Sequence, residues 1–365
     1  MNIKLNSTTL AKALKSASKV ISSKPAAPIL EGLLLSASGG RLVITATDLM
    51  ITVKIPVPIA SSQEDGRCVV PARRITEHLS LLPDCEVALT TNGGPLEVTW
   101  AKGTTSMPTL DEGAFPQMDD VTGEMMDMPA QRCLEALSAA IPACCREDLR
   151  PQLCGVHFDI LEDGTRIVAT DAHTLIYDTL DCRTPHGGSF TVPTAAATLL
   201  KGAIRKESTI VRLTHDDKKV CFNLGDIVIT TLKVEGKYPN YMSIIPSEFS
   251  GKATTKRQEL IGSLRRLAAC SPTLKMVLSP LSITLSASAH ESGTSGREDC
   301  TCSYNGQDQE VGINAQRFLD ILENVDAEDI TLSVTSPAKP ILAQTDDGSD
   351  RSKIMLFMPI SLNAA

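Results

Sequence analysis

Three stretches of this 365-residue chain repeat one pattern: VPARRITEHLSLLPDCEVALTT (70–91), VPTAAATLLKGAIRKESTIVRLT (192–214) and INAQRFLDILENVDAEDITLSVT (313–335). Each stretch runs through a short segment with helical apolar spacing and then into a β-rich segment. Pro71, Pro193 and Asn314 occupy equivalent places, with steps of 122 and 121 residues. A period this long predicts three copies of a whole domain rather than a solenoid of short units.

Other landmarks keep nearly the same spacing. The tripeptide Ala-Thr-Asp ends at Asp48 and again at Asp171, and Phe115-Pro116 recurs as Tyr238-Pro239, both with a step of 123 residues. A copy of this length is long enough to bury a core of its own. We therefore predict an N-terminal, a central and a C-terminal domain, with the boundaries 1–121, 122–247 and 248–365.

The order of elements in each copy is helix, several strands, helix, several strands. The apolar spacing predicts a first helix in each copy near 8–21, 130–143 and 256–268, and a second near 72–82, 194–204 and 315–324. In the first copy, strands are expected at 33–38, 41–46, 50–57, 86–91 and 95–101. The predicted class is α+β, with helices on one face of antiparallel sheets.

The composition is typical of soluble globular domains, with 42% hydrophobic and 21% charged residues. No apolar run approaches the roughly 20 residues that cross a bilayer, and the N-terminus lacks the apolar stretch of a signal peptide. We therefore expect a cytoplasmic protein with no membrane partner. The eleven cysteines are scattered without zinc-finger spacing, which favours reduced thiols, no metal and no cofactor.

Charge is unevenly distributed between the predicted helices and the rest of the chain. The windows 8–24, 71–83, 130–146, 194–206, 255–268 and 314–324 hold 16 Lys or Arg but only 5 Asp or Glu, a net +11 in a chain of net −8. Glu is as good a helix former as Lys, so helix propensity alone does not explain its scarcity. The segregation indicates a basic surface on an acidic body, as in proteins that bind a polyanion.

Motifs of common enzymes are missing from the sequence. It contains no P-loop, no dinucleotide-binding glycine pattern, no His-Glu-x-x-His and no Gly-x-Ser-x-Gly. Asp171 and His173 form the one arrangement that could act as an acid–base pair. Asp48 occupies the matching place in the first copy without such a histidine, which favours a structural turn at both sites. With Trp100 as the only tryptophan, contact with duplex phosphates is favoured over base stacking.

These residues together resemble the bacterial sliding clamp, the β subunit of DNA polymerase III. The resemblance runs from Met1 to Leu362 and depends on the order and spacing of several short matches. They are Pro28-Ile29-Leu30, Thr47-Asp48-Leu49, Val70-Pro71-Ala72-Arg73, Phe115-Pro116, Arg150 with Leu153 and Gly155, Val168 to Leu175, Tyr238-Pro239-x-Tyr241 with Pro246, and Met358-Pro359.

The resemblance implies a head-to-tail homodimer in which six domains form a ring around duplex DNA. Such a ring does no chemistry and tethers the replicative polymerase to its template without reading sequence. The residues that the resemblance and the charge pattern place toward DNA are Lys12, Lys15, Lys19, Lys24, Arg73, Arg74, Arg146, Arg150, Lys201, Arg205, Arg265 and Arg266. Pro151 and Gln152 stand where relatives commonly have aromatic residues on a DNA-reaching loop, so contact from that loop is left open.

The resemblance also implies one apolar pocket, between the central and C-terminal domains, that binds short peptides of the polymerase, the clamp loader and other clamp-binding proteins. Its lining would be Leu153, Thr170, Ala172, His173, Thr174, Leu175, Pro239, Ile244, Leu356, Phe357, Met358, Pro359 and Ile360. Thr174, Ser243 and Ser361 stand where the best-known members carry arginine. Two alternatives stay open at this point: ordinary core residues instead of a pocket, and a three-domain interaction scaffold that does not encircle DNA.

Overall fold

The computed structural model describes residues 1–147, 149–184, 187–289, 293–345 and 353–362. Contacts within the chain divide it into two units, which we call unit 1 (Met1–Met128 with Gly202–Lys233) and unit 2 (Pro129–Lys201 with Val234–Ala365). In the described part of the chain, no helix is both long enough and apolar enough to cross a membrane.

The first repeat begins with a short strand and a capped helix. The Asn6 side chain accepts a hydrogen bond from the Thr9 backbone N–H and so satisfies one of the free donors at the helix start. Gly39 and Gly40 have φ of 56° and 78°, the conformation that a tight hairpin between two strands requires. The elements are β1 Asn2–Asn6, α1 Ser7–Ala17, β2 Gly32–Ser38, β3 Arg41–Thr47, β4 Ile51–Pro58, β5 Ser61–Glu64, β6 Gly66–Pro71, α2 Ala72–Ser80, β7 Glu86–Thr90, β8 Leu96–Trp100 and β9 Gly103–Met107.

The second and third repeats follow the same order. The second contains β10 Glu124–Pro129, α3 Ala130–Ala140, β11 Gly155–Leu161, β12 Gly164–Thr170, β13 Thr174–Leu180, β14 Gly188–Pro193, α4 Thr194–Ala203, β15 Ile210–His215, β16 Lys219–Asn223 and β17 Val228–Leu232. The third contains β18 Gly251–Lys256, α5 Arg257–Ala268, β19 Thr273–Ser279, β20 Ser282–Ala289, β21 Thr294–Tyr304, β22 Gln309–Asn314, α6 Ala315–Leu322, β23 Asp329–Val334, β24 Ile341–Gln344 and β25 Lys353–Phe357.

The helices confirm the predicted periodicity but are shorter than predicted. In α1, Leu10, Leu14 and Ala17 are buried, and the chain then tightens into a 3₁₀ turn over Ser18–Val20. Apolar spacing persists through such a turn, so spacing alone places the helix end too late. Four strands of the first repeat, β1, β5, β6 and β9, were not predicted.

Sheets extend from one repeat into the next. Unit 1 has a five-stranded sheet of order β5-β1-β7-β8-β9 and an eight-stranded sheet of order β10-β15-β16-β17-β4-β3-β2-β6. Unit 2 has one twelve-stranded sheet of order β14-β11-β12-β13-β25-β24-β23-β18-β21-β20-β19-β22. The observed class is α+β with antiparallel pairing, as predicted.

The repeats join at two equivalent places. At the first junction, inside unit 1, β4 pairs with β17 and Thr52 lies opposite Thr230. At the second junction, inside unit 2, β13 pairs with β25 and Leu175 lies opposite Leu356. Each junction is an antiparallel pairing between a strand of one repeat and the last strand of the following repeat.

Candidate DNA-facing helices and partner groove

Unpaired cations lie on the first helix of unit 1 and on the segment that follows it. Lys12, Lys15, Lys19 and Lys24 are exposed, and within the described ranges none forms an ion pair. Arg74 at the start of α2 is also exposed and lacks an ion pair to any described residue. These five side chains are therefore available to an anionic ligand.

Other cations predicted to face DNA are engaged with carboxylates of the same unit. The pairs are Arg73 with Glu77 at 2.7 Å, Arg205 with Asp226 at 2.8 Å, Arg265 with Glu323 at 2.9 Å and Arg266 with Glu298 at 2.5 Å. All four arginines are well exposed, and such surface pairs contribute little to stability. The helical surfaces therefore carry less free positive charge than the sequence count suggests. Lys201, at the end of α4, is only half-exposed.

The segment 170–174 forms a tight turn between β12 and β13. The Asp171 Oδ1 atom accepts the backbone N–H groups of His173 at 2.9 Å and Thr174 at 2.7 Å, and the Thr174 hydroxyl at 2.8 Å. Ala172 has a φ of 72°, in the left-handed region that non-glycine residues rarely adopt. Asp171 is thus a turn residue, which confirms the structural interpretation over the acid–base pair.

The same turn recurs in the first repeat. Asp48 Oδ1 accepts the backbone N–H groups of Met50 at 2.9 Å and Ile51 at 2.7 Å, and Leu49 has a φ of 79°. In unit 2 the turn has two further bonds: the Thr174 hydroxyl donates to Asp171, and the second carboxylate oxygen of Asp171 lies 3.3 Å from Nε of Arg317 on α6.

An apolar cluster covers one face of the sheet at the second junction, and we call it the groove cluster. Alternation along the strands brings Leu175 and Tyr177 of β13 and Ile354 and Leu356 of β25 to this face. The buried members are Leu153, Val168, Leu175, Tyr177, Tyr238, Tyr241, Leu342, Ile354 and Leu356. The structure therefore brings together Leu153, Leu175 and Leu356, three of the residues predicted for the pocket.

Two predicted lining residues point to the other face of the sheet. Phe357 is 2% exposed, and its ring stacks on Phe318 of α6 with centroids 3.9 Å apart. Thr174 lies opposite Phe357 in the strand pair, and its hydroxyl is bonded to Asp171. Successive side chains of a strand alternate between faces, so these two residues belong to the helix side and not to the groove cluster. Their assignment to the lining is corrected accordingly.

Three of the remaining predicted residues are exposed and apolar, and we call them the rim: Met358 and Ile244 keep 37% and 47% of their surface exposed, and Pro239 is also exposed. Ala172 and His173 are exposed at the turn, and the Met358 backbone N–H donates to the His173 carbonyl at 2.7 Å. Thr170 is buried and its hydroxyl donates to the Thr174 carbonyl, while Pro359 and Ile360 are half-exposed and the Ile360 N–H donates to the Gly312 carbonyl of β22 at 2.9 Å. A buried apolar floor with exposed apolar edges suits a short peptide ligand.

A cavity of about 370 Å³ continues from the groove cluster along the same sheet face. Arg166 stands over the Tyr177 ring, 5.8 Å from its centroid, and its guanidinium lies 3.9 Å from the Met242 sulfur. Tyr241 donates to Asp159 at 2.6 Å, and burial together with this bond raises the pKa of Tyr241. The sequence interpretation missed Arg166, Tyr177 and Met242, although Tyr177 follows Leu175 by two residues and so shares its face.

A second cavity, of about 430 Å³, lies beside the turn of unit 2. It is bordered by Arg146, Arg150, Ala172, His173 and Thr174, together with Arg317 and Asp320 of α6. The loop arginines predicted to face DNA and the turn predicted to hold a peptide therefore border one cavity.

A histidine is buried beneath the groove cluster. His157 stacks on Tyr238 with centroids 4.1 Å apart, and its Nδ1 lies 3.0 Å from the Thr191 hydroxyl. Burial lowers the pKa of His157 to about 4, because the charged imidazolium would lose its water. The ring is therefore neutral and acts as a packing residue at neutral pH.

The cysteines are free thiols, six of them buried and five half-exposed. Among the residues that the structure describes, no three His, Cys, Asp or Glu side chains are grouped as a metal site.

Comparison with protein families gives three consecutive matches along the chain. Residues 1–119 match the N-terminal domain of the DNA polymerase III beta subunit, residues 129–240 its central domain and residues 242–360 its C-terminal domain. These matches follow the order of the three repeats.

Individual relatives match over nearly the whole chain. The beta sliding clamp of Synechococcus elongatus is 27% identical over 357 residues, covering 94% of this chain and 95% of the relative. That of Escherichia coli K12 is 25% identical over 364 residues, covering 97% and 98%.

Solved structures show the same fold. A sliding clamp from Pseudomonas aeruginosa bound to griselimycin has a TM-score of 0.94 at 22% identity, covering 99% of this chain and 100% of that one. The DNA polymerase III beta subunit of Thermotoga maritima has a TM-score of 0.90 at 22% identity, covering 99% of both chains. The fold is that of a three-domain sliding clamp, and the chain belongs to the DNA polymerase III beta subunit family.

Proposed function

We propose that this chain, a DNA sliding clamp of the replication machinery, closes into a head-to-tail homodimeric ring around duplex DNA and tethers the replicative polymerase. The observation that carries this proposal is the series of three family matches over residues 1–360, on a chain that repeats one domain three times. A heterologous contact whose rotation closes gives such a ring. The protein works in the cytoplasm and performs no reaction of its own.

The exposed cations explain how the ring holds DNA without stopping on it. Lys12, Lys15, Lys19, Lys24 and Arg74 attract phosphates, which carry about one charge per 1.7 Å of duplex axis. Contacts to phosphates position a duplex but carry no sequence information. Enclosure, rather than affinity, keeps the ring on its template, so these contacts stay weak enough for sliding. Arg73, Lys201, Arg205, Arg265 and Arg266 add to the field, as do Arg146 and Arg150, which are exposed on their loop.

The groove cluster is the docking site for partner peptides. Its buried floor anchors apolar side chains of the peptide, and Met358, Ile244 and Pro239 close around them. Methionine side chains adapt to differently shaped ligands, which suits a site shared by the polymerase, the clamp loader and other clamp-binding proteins. Because Ser243 and Ser361 carry no charge, apolar contacts supply most of the recognition, and Arg166 over the Tyr177 ring is the guanidinium group beside the groove cluster.

Assembly is tested by mass and by topology. Light scattering should give about twice the 39.0 kDa chain mass. Rings loaded on nicked circular DNA should stay bound until a restriction enzyme linearises the circle, and should then slide off the ends. A monomer, or equal retention on circular and linear DNA, would contradict the ring and favour an interaction scaffold.

The role of the helices is tested by reversing charge. Replacing Lys12, Lys15 and Lys19 with Glu should weaken equilibrium binding to a short duplex by at least about tenfold. Each lost phosphate contact should also reduce the salt slope by about 0.9. The matched control reverses three exposed cations outside the helices, Arg41, Lys102 and Lys218. Equal losses in both variants would mean that overall charge, and not the helices, holds DNA.

A further inference from the structure

Two half-buried thiols lie at the two ends of the loop that carries Arg146 and Arg150. The Cys145 backbone N–H donates to the Leu153 carbonyl at 3.0 Å, and Cys154 follows directly. This bond makes the two ends of the loop neighbours although eight residues separate the cysteines in sequence. The cysteines are therefore adjacent in the fold.

The two sulfur atoms share one hydrogen-bond acceptor. Cys154 Sγ lies 3.2 Å from the Glu147 carbonyl oxygen and 3.6 Å from that of Arg150. Cys145 Sγ lies 3.7 Å from the same Glu147 oxygen. A disulfide needs two cysteines whose backbones are neighbours, which the bond from Cys145 to Leu153 provides, and both sulfurs lie beside one carbonyl oxygen.

Both thiols are accessible to a small reagent. They are half-exposed and border a cavity of about 610 Å³ that is also lined by Cys144 and Arg146. Cys154 Sγ has a carbonyl oxygen at 3.2 Å, whereas the carbonyl oxygen beside Cys145 Sγ lies at 3.7 Å. The Cys145 sulfur is therefore the less engaged of the two and is taken as the first nucleophile.

Two other cysteines of the same repeat differ from this pair in the burial and the pKa of their thiols. Cys144 precedes Cys145 in sequence but is 5% exposed, and burial raises the pKa of its thiol to about 12. Cys133 is completely buried, and its thiol pKa is also raised to about 12. Thiols of this kind stay protonated and unreactive at neutral pH.

We propose that Cys145 and Cys154 are a thiol oxidation site that a hydroperoxide converts reversibly into a disulfide. The Cys145 thiolate attacks the outer peroxide oxygen, the O–O bond breaks, and the leaving oxygen takes a proton to give water or an alcohol. The Cys154 sulfur then displaces hydroxide from the Cys145 sulfenic acid, and a second water forms with the Cys154 proton. Both sulfurs are oxidised, the peroxide is reduced, and small thiols restore the pair.

The disulfide closes the loop 146–153 at its base. It replaces weak bonds from the thiols to Glu147 and Arg150 with a covalent link and so restrains the segment that carries both arginines. A reversible bond of this kind is the form in which disulfides occur in reducing compartments. The effect on DNA contact rests on the proposed function, but the disulfide itself does not.

The test treats the reduced full-length protein with hydrogen peroxide and maps disulfides by mass spectrometry. We expect one link, between Cys145 and Cys154, that dithiothreitol reverses and that persists in Cys144→Ala. In Cys154→Ser, a dimedone adduct should appear at Cys145, whereas Cys145→Ser should give none at Cys154. A link through Cys144, or no link at conditions that oxidise a free small thiol, would overturn the proposal.

A second readout checks the restraint of the loop. Trypsin cleavage after Arg146 requires local opening, so its rate should fall at least about fivefold in the oxidised protein and stay unchanged in peroxide-treated Cys154→Ser. An equal cleavage rate in the oxidised and reduced protein would show that the bond, although formed, does not restrain the loop.

Discussion

At the second junction Leu175 of β13 lies opposite Leu356 of β25, whereas at the first junction the corresponding pair is Thr52 of β4 and Thr230 of β17. Two residues further along each strand, on the same face, the pair Tyr177 and Ile354 corresponds to Lys54 and Val228. The two junctions thus share their strand pairing and their turn but differ in side chains on the same face.

The two junctions differ in the polarity of this face. At the first junction Thr52, Thr230 and Lys54, whose Nζ lies 3.1 Å from Asp120, make a more polar face, and the Thr52 hydroxyl donates to that of Thr47. At the second junction the same positions make the floor of the groove cluster. Burial of apolar surface favours peptide docking, which is why the proposed peptide site lies at the second junction. The backbone forms the same strand pair at both junctions, and the side chains at four positions make the second junction the more apolar one.

The largest effect is expected from making the second junction resemble the first. Replacing Leu175 and Leu356 with Thr removes two buried apolar side chains, which should lower the free energy of unfolding by about 4 kcal/mol or more. Binding of the polymerase peptide should be lost. Denaturant titration and calorimetry measure the two effects, with single variants as a check on folding.

The control for this change lies at the first junction. Replacing Thr52 and Thr230 with Val alters the equivalent positions and should leave peptide affinity unchanged. A loss of affinity in this control would show that peptide docking depends on the first junction as well.

A smaller effect is expected from His157, which occupies the place that Leu34 holds in the first repeat. Its pKa of about 4 lies below the ordinary 6.5, so the unfolded chain binds a proton first as pH falls. Stability is therefore fully present above about pH 6.5 and is lost toward pH 4, by on the order of 3 kcal/mol. His157→Leu should remove this part of the pH dependence, as measured by urea unfolding between pH 7 and pH 4. Parallel curves of unfolding free energy against pH for the variant and the parent would show that His157 does not cause this pH dependence.

The smallest effect is expected at the rim. Met358→Ala removes one partly exposed apolar side chain and should weaken peptide binding by about 1–3 kcal/mol while leaving the dimer mass unchanged. Met125→Ala, which changes an exposed methionine of unit 1, is the matched control. Unchanged affinity in Met358→Ala would place the peptide elsewhere.

The local features of this fold could be predicted from sequence. Six helices and the main strands follow from spacing, and the Asp48 and Asp171 turns follow from their repeated tripeptide. Alternation along β25 accounts for Ile354 and Leu356 sharing one face, where both belong to the groove cluster. The exact domain boundaries stay a prediction.

Features that depend on distant residues could not be predicted in this way. The pairing of β13 with β25 joins segments far apart in sequence, so no local pattern marks Arg166 or Met242 as neighbours of the groove cluster. The error at Phe357 has a different origin: the resemblance placed it in the lining, although alternation along β25 puts it on the face opposite Leu356. Partners such as Glu298 for Arg266 come from another element, so a charge count over helices alone overestimates the free positive charge.

The central claim is that one of two equivalent junctions binds partner peptides. Calorimetric titration of the intact protein with the clamp-binding peptide of its replicative polymerase measures the number of sites. We predict one peptide per chain, with binding abolished by Leu175→Thr with Leu356→Thr and unaffected by Thr52→Val with Thr230→Val. Two peptides bound per chain would contradict the account. So would peptide binding that persists after both leucine changes in a protein that still folds.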